Sequence, residues 1–84
     1  MRQRLNGDRL RDAIARADLS FIRVGMSLYL QEYTRRVVPA HVVAAWVAGK
    51  VNPHERTVVG LAAVLGVTAE YLYGGEGVVG HDPA

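Results

Sequence analysis

Three histidines, two serines and one glycine-rich run are the side chains whose types could carry chemistry in this chain of 84 residues. His41, His54 and His81 lie far apart in sequence, with none of the short spacings that let imidazoles share a metal ion, so they read as surface histidines. Cysteine is absent, which removes disulfides, thiolate metal sites and a cysteine nucleophile together. Ser20 and Ser27 have no base and orienting acid near them in sequence, and they read as helix caps rather than nucleophiles. Gly75-Glu76-Gly77-Val78-Val79-Gly80 matches the dinucleotide pattern G-x-G-x-x-G. That pattern binds a pyrophosphate only between a strand and a helix, and four residues after Gly80 cannot build the helix. The expectation is a protein that is not an enzyme, with no cofactor and no metal.

Charge placement is more informative than charge total. The net charge is +2, but residues 35–56 hold Arg35, Arg36, Lys50 and Arg56 against Glu55 alone. Residues 57–84 have no lysine or arginine and carry Glu70, Glu76 and Asp82. A basic middle ahead of an acidic end points to a polyanion contact in the middle; the plainer alternative is a solvated charged face.

The elements that must position these groups are helical throughout. Half the residues are hydrophobic and 21% are charged, a composition that folds, and the length suits one domain. Asn6 and Asp8 suit the start of a helix over 8–18, with Leu5 packing back on Leu10 and with Leu10, Ala13, Ile14 and Ala17 on one face. Residues 20–36 read as helix with two apolar stripes, one of Phe21, Val24 and Leu28, the other of Ile22, Met26, Tyr29 and Tyr33. Gly25 could break that helix in two. Pro39 opens a helix over 39–48, with Val43, Trp46 and Val47 inward and Gly49 ending it. A fourth helix spans about 54–65 and stops at Gly66, and Thr68 caps a short fifth that Gly74-Gly75 closes. Residues 1–75 therefore form one domain, and 76–84 read as a flexible tail. Tyr29, Tyr33, Trp46, Tyr71 and Tyr73 read as core or interface aromatics. The longest apolar run, Val58 to Ala69, is too short and too interrupted to span a bilayer, and no apolar stretch follows the basic N-terminus. Both observations lead one to expect a soluble, cytoplasmic protein.

Residues 38–73 resemble the Cro/C1-type, phage-repressor-like helix-turn-helix family. The likeness is carried by Val38-Pro39-Ala40-His41-Val42-Val43-Ala44-Ala45-Trp46-Val47-Ala48-Gly49-Lys50, then Asn52-Pro53, then Leu61-Ala62-Ala63-Val64-Leu65-Gly66-Val67-Thr68-Ala69-Glu70-Tyr71-Leu72-Tyr73. It implies an all-α, four-to-five-helix bundle of the lambda-repressor-like type, acting as a repressor or other transcription regulator that places the helix over 39–48 in the major groove of duplex DNA. By position, Ala40, His41, Ala44 and Ala45 would face the bases, while Arg35, Arg36, Lys50, Asn52, His54 and Arg56 would meet the backbone. The family often pairs through its last helix, so the resemblance also implies a homodimer, with Leu72, Tyr73, Val78 and Val79 as candidate contacts. A glutamine or other polar residue often starts the family's second helix, where this chain has Phe21 or Leu28. The alternative is a protein-interaction module, such as an antitoxin or anti-repressor, that grips a protein partner through the stripe of Ile22, Met26, Tyr29 and Tyr33.

Overall fold

The computed structural model describes residues 3–75 of the chain. Side-chain caps start most of its helices. Asn6 accepts from the Arg9 amide at the head of α1 (Gly7–Arg16), and Ser20 accepts from the Arg23 amide at the head of α2 (Phe21–Leu30). His54 does the same for the Arg56 amide in α4 (Glu55–Leu65), and Thr68 for the Tyr71 amide in α5 (Ala69–Leu72). Each cap satisfies an amide that the helix leaves without an intrahelical partner. The exception is α3 (Ala40–Val47), which follows Pro39 and has no side-chain cap.

The helices end alike. A residue with positive φ follows each: Asp18 after α1, Glu32 after α2, then Gly49, Gly66 and Gly74. In α3 the Gly49 amide donates to the Trp46 carbonyl and the Lys50 amide to the Ala45 carbonyl, the paired bonds of a Schellman stop. The same pairing closes α2 through Glu32 to Tyr29 and Tyr33 to Leu28, with glutamate in a conformation that glycine would hold without strain.

Among the described residues the architecture is all-helical, five helices and no strand, as the periodicity predicts. α3 packs on α1 and α2, α4 on α2 and α5, and α5 returns to α1. Their shared core holds Leu10, Val24, Leu28, Val43, Val58, Leu61 and Leu72, all fully buried, with Trp46 and Val47 nearly so. Burying each such side chain stabilises the fold by roughly 1.5–3 kcal/mol before entropy is counted. Leu5 and Leu10 are both buried, as the predicted staple requires. The ends of the domain are tied together. The Asn6 amide donates to the Leu72 carbonyl at 2.7 Å, and Arg9 Nη1 donates to the carbonyls of Tyr71 and Gly75 while its guanidinium stacks on the Tyr71 ring.

The structure corrects the sequence reading of residues 20–36. Helix continues only to Leu30, and Gly25 does not break it. Gly25 is instead where the chain crosses itself, because a β-carbon there would collide with the Val38 carbonyl, and the Val38 amide donates back to the Gly25 carbonyl. A nine-residue connection, 31–39, therefore joins α2 to α3, where a helix-turn-helix has a turn of about three or four residues. Its near end is held by Tyr33, whose ring lies against Gly60 of α4.

Candidate nucleic-acid interface

Helical geometry divides α3 into two faces. Val43, Trp46 and Val47 turn inward and are buried. His41 and Ala48 are exposed on the opposite side, and Ala40, Ala44 and Ala45 are partly exposed. The outward face thus has small side chains with one hydrogen-bonding group, His41. With its side chains an α-helix is about 10–12 Å across, similar to the width of the major groove.

Cations precede and follow this helix along the chain. Arg36, exposed, lies on the connection before it, and Lys50, also exposed, follows its C-terminal stop. Arg4 joins Lys50 by donating to the Gly49 carbonyl at 3.3 Å. No feature of the sequence signals Arg4 as part of this surface, since 45 residues separate it from Gly49. Ala48 also belongs to this face, since helical spacing places it beside His41 and Ala45.

The backbone candidates divide once they are placed. Arg35 and Arg56 do not flank α3 directly. They line a groove of about 630 Å³ with Tyr29, Leu30, Glu32, Tyr33 and Thr34, between the α2–α3 connection and α4. His54 is exposed, and its Nδ1 accepts from the Arg56 amide at 3.1 Å, so that nitrogen caps α4. Asn52 is engaged within the protein itself. Its Oδ1 accepts from the Leu5 amide and its Nδ2 donates to the Gln3 carbonyl, both at 3.0 Å, so the side chain clamps the N-terminal segment.

The dimer candidates also change. Leu72 is fully buried in the protein's own core and cannot meet a second chain, and Tyr73 is half-buried against that core. Val78 and Val79 lie outside the described residues, as do His81 and the glycine run from Glu76 onward. Exposed apolar side chains gather instead on the outer face of α2, where Ile22 is 59%, Met26 40%, Tyr29 44% and Leu30 70% exposed. Helical spacing puts these four on one stripe, opposite Val24 and Leu28.

Among the described residues no three His, Asp or Glu side chains gather in a way that could hold a metal ion, and no helix is long and apolar enough to cross a membrane. The chain matches no protein-family model, no curated protein and no solved structure.

Proposed function

We propose that this protein binds duplex DNA as a regulator of transcription, laying the outward face of α3 in the major groove. The observation that carries the reading is the two-sidedness of α3. His41, Ala44, Ala45 and Ala48 remain open to solvent while Val43 and Trp46 anchor the helix to the core. The small residues let the helix approach closely, alanine can meet a thymine methyl, and His41 is the group that reads base edges. Arg36 at one end, with Lys50 and Arg4 at the other, supplies cations for the phosphates on the two sides of the groove. The uncapped start of α3 leaves amides toward an approaching phosphate.

Fluorescence anisotropy on genomic fragments at two salt concentrations tests this. Binding weakens with salt along a log–log slope of roughly −0.9 per phosphate contacted. Arg36→Ala with Lys50→Ala lowers affinity for all sequences alike, while His41→Ala alters site preference. Absence of binding at low salt overturns the reading.

A second reading, a protein-interaction module such as an antitoxin or anti-repressor, draws on the apolar outer face of α2, because soluble proteins seldom leave such a stripe uncovered. Complex formation through that face changes little with salt.

A further inference from the structure

We propose that the outer face of α2 is covered by a second copy of the same chain, in an antiparallel two-fold pairing of α2 with α2 about Met26. This inference does not depend on DNA binding.

The two ends of α2 differ in a way that makes the surface complementary to itself. At its N-terminal end stands an apolar knob, Ile22, 59% exposed, with the exposed carboxylate residue Asp18 just before the helix. At its C-terminal end lies the groove of about 630 Å³, walled by Tyr29, Leu30 and Tyr33 and bordered by Arg35 and Arg56. An apolar knob with Asp18 four residues before it and Arg23 next to it in sequence matches an aromatic-walled groove whose lining carries Arg35, Arg56 and Glu32. A two-fold axis through Met26 sets Ile22 of each copy opposite Leu30 of the other, over that groove. The same operation carries the N-terminal end of α2, which Asp18 precedes, to the end where Arg35 and Glu32 of the other copy line the groove, so that Asp18 is set toward Arg35 and Arg23 toward Glu32. An isologous interface must meet this condition, since each contact is made twice by one patch.

Neighbouring features agree with this placement. The groove is open, and most of its lining residues are exposed, so it is a poor container for a small molecule, which ordinary sites bury almost completely. It is a better receptacle for a side chain carried on another helix. Removing Leu72 from the candidate contacts also leaves α2 as the described helix with the largest exposed apolar stripe.

Sedimentation equilibrium of the whole chain, from micromolar to millimolar concentration, provides the test. A reversible monomer–dimer equilibrium is expected. Ile22→Glu and Leu30→Arg, each at an exposed position, should raise the dimer dissociation constant on the order of thirtyfold or more, as at an interface hot spot. Their circular dichroism spectra should remain those of the parent. Asp18→Asn and Arg35→Gln should each weaken the dimer several-fold, and together no more than either alone, because each removes the same pair. A monomer at every concentration overturns the proposal. A dimer indifferent to Ile22→Glu and Leu30→Arg overturns it equally, and independent, additive effects of Asp18→Asn and Arg35→Gln refute the antiparallel register. DNA binding is scored separately, so its loss or survival leaves these outcomes distinct.

Discussion

The ring of Tyr33 occupies the space that a β-carbon on Gly60 would need. This contact fastens the long connection between α2 and α3 onto α4, and it explains why a glycine lies on the buried face in the middle of that helix. Gly60→Ala should destabilise the protein by about 1–3 kcal/mol through overpacking, outweighing the roughly 1 kcal/mol that alanine gains in helix propensity. Urea denaturation measures the difference; a neutral or stabilised variant would show that Tyr33 moves aside without cost.

Glu32 has φ of 65°, a left-handed conformation that costs a residue with a β-carbon about 1–2 kcal/mol. Glu32→Gly at the end of α2 should therefore stabilise the fold by roughly 1 kcal/mol, after the extra flexibility of glycine in the unfolded chain is counted. In a domain of this size that corresponds to a rise in Tm of about 4–8 °C. A calorimetric scan of dilute protein checks it, and an unchanged or lowered Tm contradicts it.

Asn52 separates a structural from a recognition role. With its side chain bonded to the Leu5 amide and the Gln3 carbonyl, Asn52→Ala should cost about 1–3 kcal/mol of stability by leaving the Leu5 amide without that acceptor. The salt dependence of DNA binding by the folded fraction should be the same as in the parent. If the melt is unaltered while affinity for all DNA falls, Asn52 is a phosphate ligand after all.

His41 is exposed on α3 and makes no contribution to the buried core. His41→Glu places a negative charge near the start of that helix, where the helix dipole tolerates or favours it, so stability should stay within about 0.5 kcal/mol of the parent. DNA binding should fall at least tenfold, about 1.4 kcal/mol, because the new carboxylate meets phosphates and base-edge acceptors. Equal affinity in an anisotropy titration would remove the α3 face from the interface.

Local order was legible from the residues alone. Asn6, Ser20 and Thr68 are legible as caps because each bonds an amide three residues along the same chain, a contact that needs no other element. The inward stripe of Val43, Trp46 and Val47 is equally local, since helical period alone sets those residues on one side. The all-helical architecture follows from such periods taken together.

Contacts made across the chain decided the rest. Residues 31–36 keep a helical pattern, yet the helix ends at Leu30 and Tyr33 finds its place on Gly60, a contact that spacing does not encode. Gly25 could be a break or a crossing point; the approach of Val38 settles it as a crossing. Leu72 has the same apolar character whether it meets a partner or its own core, and the packing of α5 on α4 and α1 leaves it buried. Asn52 and Arg4 take their roles from the N-terminal segment folding back beside α3. Periodicity reports which side of a helix is apolar, whereas the identity of the surface that covers that side depends on chain closure over tens of residues.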